Sequence, residues 1–345
     1  MRVRRAKPEL RASAASEPRD RSAPTQRRAR ERVGESEGRS PSERDWIVGR
    51  VGAAAFEQLA TGLAGSDLHS VLLEVMQHRA RGRTPADVLG QYLRDGFCAP
   101  AAIDLRTSHE VDGHLLAAAA GFEALELSPV APLGVSSAIA QTGQNRVLSA
   151  LRMTEVVSDP TNVLALECAR RLRADWETPV HLATSQRVLR AQPVPKLPGY
   201  GQHFRIFVLA SGGRETKDHA FTVQTCALQI RTMLVALDRL EQSGYAFGAR
   251  RVEILTTPAR QAVGDRIGES LNVDVVRRAL DHAYYSGGLR YQIWVTAPDG
   301  AGIPLIDGGA FDWLASLTAN RRAVYIASGT GSQLVAWSFK NAGRR

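Results

Sequence analysis

LRAQPVPKLPGYGQHFRIF, residues Leu189–Phe207, reads as the end of a strand carrying an arginine, a Pro/Gly-rich turn and a return strand. Outward from this hairpin, further strands are expected at His181–Leu189, His203–Ala210, Arg251–Leu255, Leu289–Thr296 and Ala323–Ser328. Apolar residues at three- and four-residue spacing predict helices at Ser108–Ala120, Asn162–Ala174, Ala227–Gln242 and Val273–Ala283. Gly121–Pro129 reads as a break followed by an alternating strand. Long antiparallel strands interleaved with helices predict an α+β domain, an antiparallel sheet flanked by helices, rather than a doubly wound sheet.

Two other stretches precede this domain. Residues 1–45 contain no aromatic and few aliphatics. A chain of that composition cannot bury enough apolar surface to offset its ordering entropy, so a disordered basic tail is expected. A solvated tail, an upstream mis-start of translation and a non-specific RNA-binding arm all fit it. Residues 46–100 read as a small helical element. Phe56, Leu59, Leu63, Leu68, Val71, Leu72, Val75 and Met76 fall mostly at helical spacing, and Thr84 before Pro85 forms a helix start. The expected division is therefore 1–45, 46–100 and 101–345.

The net charge of +9 points weakly to polyanionic partners. The tail holds 13 Lys/Arg and 8 Asp/Glu, so it carries most of that excess. The mild charge of the remainder says little beyond solubility, and nucleic acid is not an expected partner. Cys98, Cys168 and Cys226 are far apart, which indicates neither a disulfide framework nor a zinc site. The absence of an apolar run of membrane-spanning length or a secretory h-region leads to the expectation of a cytoplasmic protein without membrane contact. Val223–Ile230 (VQTCALQI) resembles the translation of a common sequencing adapter, so no functional role is assigned to it.

Three later segments complete the pattern: DHAYYSGGLRYQIWV at Asp281–Val295, PLIDGGAFDWL at Pro304–Leu314, and ASGTGSQL at Ala327–Leu334. Together with the hairpin, their order resembles the catalytic core of class II aminoacyl-tRNA synthetases, in the histidyl branch. His114–Ala120, Gly121 and Pro129 are similar to that family's first motif, a helix and strand at the dimer interface. Arg190 stands where the second motif has the arginine that grips the ATP α-phosphate. A fixed guanidinium there stabilises charge as a carboxylate attacks phosphorus. Gln192 replaces a glutamate that helps order ATP, and Tyr200–Phe204, including Gln202, resembles the return strand.

Tyr284-Tyr285-Ser286-Gly287 resembles part of the histidyl branch's amino-acid pocket, with Arg278 in a split version of the preceding arginine motif. Adjacent tyrosines on a strand point to opposite faces, so at most one is expected to face a pocket. Gly308 and Gly309 resemble a Gly-Gly turn whose arginine is Ala310 here. Gln333 lies near the place of the third-motif arginine. Asp159-Pro160-Thr161 lies where the family holds the substrate amine; it also reads as a helix start, with Asp159 as cap. Glu167 is a second acidic candidate.

The resemblance implies a homodimer, a small amino-acid-like ligand held through Thr161, Gln202, Tyr284, Tyr285, Gly308 and Gly309, and nucleotide contacts from Arg190, Gln192 and Gln333. The arginines missing at 310 and 333 argue against tRNA charging, because each cation aimed at developing charge supplies several kcal/mol of transition-state stabilisation, and the glutamate missing at 192 removes a group that orders ATP. Two functions remain. One is a regulatory or partner subunit, similar to that of ATP phosphoribosyltransferase, which requires no cofactor. The other is a ligase that activates an amino acid or carboxylate with ATP and magnesium for a non-tRNA acceptor, with Arg190 catalytic.

Overall fold

The computed structural model describes residues 43–195 and 199–340, and the chain divides into two compact units, Met1–Glu57 and Gln58–Arg345. In the first unit the described residues form helices α1 (Glu43–Val51) and α2 (Ala53–Glu57). Helix α1 begins within the stretch expected to be a tail; the rest of that stretch lies outside the described residues. The division at Glu57 also differs from the boundary near residue 100 expected from sequence.

The second unit opens with a short π-helix, Gln58–Gly62, followed by α3 (Gly65–Arg81) and α4 (Pro85–Tyr92). The start of α4 is as its residues dictate. Thr84 Oγ1 accepts from the Asp87 amide at 3.2 Å, and the Asp87 carboxylate accepts from the Thr84 amide at 2.9 Å.

Helix α5 (Leu105–Ala118) then leads into an eight-stranded sheet. Numbered along the chain, the strands of this sheet are β1 (Glu123–Ala124), β5 (Val180–Leu189), β6 (His203–Arg214), β7 (Arg250–Thr256), β8 (Val275–Ala279), β9 (Leu289–Thr296), β10 (Gly302–Phe311) and β11 (Ala323–Thr330). Their spatial order is β1-β5-β6-β11-β10-β9-β7-β8. The six central strands pair antiparallel, and the edge strands β1 and β8 pair parallel to their neighbours. A small second sheet joins β2 (Val130–Pro132), β4 (Thr154–Val156) and β3 (Ser149–Ala150).

Strand β6 shows why both faces of the sheet are covered. Its side chains alternate. Phe207 and Leu209 join a core with α5, α7 (Ala220–Gln242), α8 (Gln261–Glu269) and α10 (Ser332–Phe339). Ile206, Val208 and Ala210 join a second core with α6 (Pro160–Ala174) and α9 (Trp313–Thr318). A continuous apolar run is what a strand buried on both faces requires.

Several expectations change. Val273–Ala283, expected as a helix, contains the edge strand β8 instead. Its consecutive valines, Val275 and Val276, suit the parallel ladder with β7, and Arg277 and Arg278 guard the open edge. The expected Gly308–Gly309 turn lies inside β10, a central strand. A Cβ on Gly308 would lie 2.4 Å from the Ser328 Cβ and 2.7 Å from the Tyr291 ring, so close approach between strands explains this glycine. Tyr284 and Tyr285 sit in a turn before β9, not on a strand.

Contrary to the expectation from sequence, the helical stretch Lys217–Gln242 is long and apolar enough to cross a membrane. Here it is a core helix, with 61% of its most apolar window buried. The adapter-like segment Val223–Ile230 falls within it, and Cys226 and Ile230 are fully buried.

Candidate functional site

A cavity of about 600 Å³ lies on the sheet face that carries α6. One wall comes from the amino end of α6 and the residues leaving β5. Asp159 caps α6, its Oδ1 accepting from the Thr161 amide at 3.0 Å and the Thr161 hydroxyl at 2.8 Å. Arg190 runs alongside. Its Nε donates to the Ser158 carbonyl at 2.9 Å, Nη2 lies 3.5 Å from Asp159 Oδ2, and the guanidinium stands 5.2 Å from the Phe204 ring centre. Asp159 therefore caps the helix and also lines the cavity.

A second charged group is built from the centre of the sheet. Arg290 on β9 grips Asp307 on β10 with two bonds, Nε to Oδ1 at 2.9 Å and Nη2 to Oδ2 at 2.6 Å. The Tyr285 hydroxyl donates to the same Oδ1 at 2.6 Å, and Arg290 lies 5.0 Å from the Tyr285 ring centre. The hydrogen bonds to Asp307 hold the arginine's pKa above its usual value. Burial raises the pKa of Tyr285, and the neighbouring Asp307 charge adds to the effect. Tyr284 is raised by the same order of causes, burial first and then Asp159. The Tyr285 hydroxyl thus stays protonated as the donor to Asp307.

The aromatic walls follow from the turn. Tyr284 and Tyr285 both line the cavity, with ring centres 5.4 Å apart and nearly perpendicular. Strand alternation does not separate them, because no strand holds them. Phe311 packs 5.4 Å from each. Gly309 makes room for this cluster: a Cβ there would lie 2.5 Å from the Tyr285 ring.

At the far end, Gln333 is buried in the first turn of α10, and its Nε2 donates to the Gly199 carbonyl at 3.4 Å. Gln192 and Arg146 complete this end. Among the described residues, Arg146 has no ion-pair partner and is exposed.

The cavity thus brings together Thr161, Arg190, Gln192, Tyr284, Tyr285, Gly308 and Gln333. Gln202 does not line it, although its backbone carbonyl accepts from the Arg190 amide at 2.8 Å; its side chain turns toward Gly96. Gly309 supports a wall without lining it. Glu167 is bound by Arg170 and Arg171 on the flank of α6, and the Arg170 bond, outweighing burial, brings its pKa down to about 2. Arg278 is at the sheet edge beside Glu253, 3.4 Å away. The turn Lys196–Pro198 lies outside the described residues.

Sequence reading missed Arg146, Arg290 and Asp307 as site residues. Arg290 and Asp307 are 17 positions apart, and only the β9–β10 register makes them neighbours.

No protein-family model and no curated protein matches the sequence. Solved structures do match. An ATP phosphoribosyltransferase regulatory subunit/histidyl-tRNA synthetase from Bacillus halodurans superposes with a TM-score of 0.50 at 15% identity, over 69% of this chain and 82% of that one. The RNA binding domain of threonyl-tRNA synthetase from Cryptosporidium parvum gives 0.51 at 9% identity, over 68% and 64%. Histidyl-tRNA synthetase from Staphylococcus aureus gives 0.49 at 12% identity, over 67% and 64%. The fold is like that of a class II aminoacyl-tRNA synthetase core. At these identities the likeness is one of fold, and chemistry has to be argued from the side chains.

Within this fold the hairpin that resembles the second motif is β5 and β6, paired from Val180↔Gly212 to Leu189↔His203. The stretch that resembles the third motif spans the end of β11 and the start of α10. Position 310, where the resembled motif has an arginine, is closed as well as neutral. Ala310 is buried, and a Cβ on Gly287 would lie 2.7 Å from it.

Proposed function

We propose that this protein binds a small amino-acid-like molecule in the cavity and works as a regulatory or partner subunit, without charging tRNA. The main support is that its own carboxylates already engage the cavity's inner arginines. Arg190 is bonded to the Ser158 carbonyl and faces Asp159, Arg290 holds both oxygens of Asp307, and Gln333 is uncharged. A triphosphate would have to displace these contacts, whereas adenylate chemistry needs cations aimed in advance at developing charge. Arg146 at the edge is the remaining candidate for a phosphate contact.

The same geometry suits a zwitterion. Asp159 and Thr161 can receive an ammonium, Arg146 a carboxylate, and Tyr284, Tyr285, Phe204 and Phe311 can enclose a side chain. Placing a regulatory role on this frame accords with the Bacillus halodurans neighbour, whose name carries both roles. A cytoplasmic setting fits the free thiols of Cys98, Cys168 and Cys226.

Calorimetry with each amino acid, with and without ATP and magnesium, tests this reading. The expected result is one amino acid bound independently of ATP, weakened by Asp159→Asn, with no pyrophosphate exchange. Exchange that disappears in Arg190→Ala would establish the ATP-using ligase instead. If no amino acid binds or supports exchange, both readings fall.

A further inference from the structure

The sheet face opposite the cavity holds another group of charges, where the β5–β6 hairpin meets α5. Arg187 on β5 and Arg205 on β6 stand directly across from each other in the strand register. Like charges in that relation repel. Asp112 on α5 lies 3.3 Å from Arg205 Nη1, while Arg187 has no ion-pair partner among the described residues. Arg187 Nη1 instead lies 3.0 Å from His203 Nδ1, and His203 Nε2 lies 2.7 Å from the Ala99 carbonyl oxygen. A carbonyl only accepts, so Nε2 carries the hydrogen and Nδ1 accepts from Arg187. Neither bond brings a negative charge to that guanidinium. Burial first, and then the facing Arg205 charge, hold the Arg187 pKa below its usual value, and Asp112 offsets them only in part.

Four buried polar atoms of this cluster have no hydrogen-bond partner among the described residues: Arg205 Nε, Ser185 Oγ, Ser108 Oγ and Asp112 Oδ1. Ser185 shares the face of β5 that carries Arg187, and Ser108 sits one turn before Asp112 on the buried side of α5. Ser108 and Asp112 are only 2% and 5% exposed, a setting in which polar groups are almost always paired. Three of the four atoms can donate a hydrogen bond. The fourth, a carboxylate oxygen, accepts.

We propose that this cluster binds inorganic phosphate, whose oxygens accept from the two arginines and the two serines while its P–OH donates to Asp112 Oδ1. Two guanidinium groups against one carboxylate leave a positive charge for an anion to neutralise. The carboxylate then selects among anions of one shape. Phosphate keeps at least one P–OH at neutral pH and can donate it, whereas sulfate would set an oxygen lone pair against that of Asp112. The site lies across the sheet from the cavity and does not depend on the amino-acid ligand proposed there.

Isothermal titration calorimetry of the full chain in phosphate-free buffer at neutral pH tests the proposal. One phosphate per chain is expected, with sulfate at least about tenfold weaker. Arg187→Gln should weaken phosphate at least about tenfold and, with no ion pair to lose, leave melting without phosphate nearly unchanged. Asp112→Asn offers sulfate a donor and should abolish the preference for phosphate. Should loss of the Arg205 pair unfold that variant, the wild-type preference and Arg187→Gln still decide. No binding of phosphate up to about 10 mM, equal binding of sulfate, or binding that survives Arg187→Gln would each overturn the proposal. Binding lost in Arg146→Gln instead would put the anion in the cavity, and overturn it as well.

Discussion

Helices α7 and α3 share a pattern and differ in fate. Both are long and carry a helical apolar stripe, yet α7 buries thirteen of its 23 residues and α3 buries none of its 17. Helix α7 crosses one face of the sheet, where Ile230, Met233 and Leu237 meet Ile254, Tyr291 and Ile326. Helix α3 has no sheet beneath Val75 and Met76. An apolar stripe predicts that a face will be covered, but not what covers it.

The largest expected effect lies on the buried side. Leu237→Ala should lower unfolding free energy by about 2–5 kcal/mol, read from urea denaturation, because the sheet behind it cannot collapse into the space. A loss below 1 kcal/mol would mean that α7 is not the core helix.

Next is the charged group within the sheet. Arg290→Ala leaves Asp307 with the Tyr285 hydroxyl alone. The pair is partly exposed, with side-chain exposures of 19% and 38%, so the expected loss is about 1–3 kcal/mol, below that of a fully buried pair. Calorimetry should also show loss of ligand binding, since Arg290 sets both Asp307 and the Tyr285 ring.

Glu155 comes third. It is fully buried in the small sheet. Burial alone would push its pKa up, but bonds from Ser136, Gln144 and the Gly134 amide outweigh this and hold it below the usual value. Because the folded value is the lower one, this stability is full above the usual glutamate pKa of about 4.3 and is lost as pH falls through the folded value. Glu155→Gln should cost about 1–3 kcal/mol at neutral pH and flatten the acid limb of a stability–pH curve. An unchanged acid limb would remove Glu155 from that account.

The smallest effect is expected on α4. Val88→Ala should change monomer stability by no more than about 0.5 kcal/mol, measured by thermal melting at low concentration. A larger loss would mean that Val88 packs against the rest of the second unit.

Much of the cavity was legible because its chemistry is local. Asp159-Pro160-Thr161 is a helix start in any context, and its cap already places a carboxylate beside Thr161. Arg190 ends a strand whose partner follows after a short turn, so the hairpin fixed its neighbourhood. Tyr284 and Tyr285 failed the same reasoning. Alternation holds only on a strand, and the turn that carries them brings both rings to one side. Val273–Ala283 failed because a short apolar run fits either period, and only the open edge beside β7 made it a strand.

By itself, the sequence determined the antiparallel sheet, the hairpin around Arg190, the start of α6 and the absence of charge at Gln192, Ala310 and Gln333. These are matters of residue type and short spacing, which act within a few positions of the chain. Tertiary structure alone decided that Arg290 meets Asp307, that Gln202 and Glu167 face away from the cavity, and that α7 is buried while α3 is open. Each depends on strand register or on what lies across a helix face, and contacts between residues far apart in the chain set both.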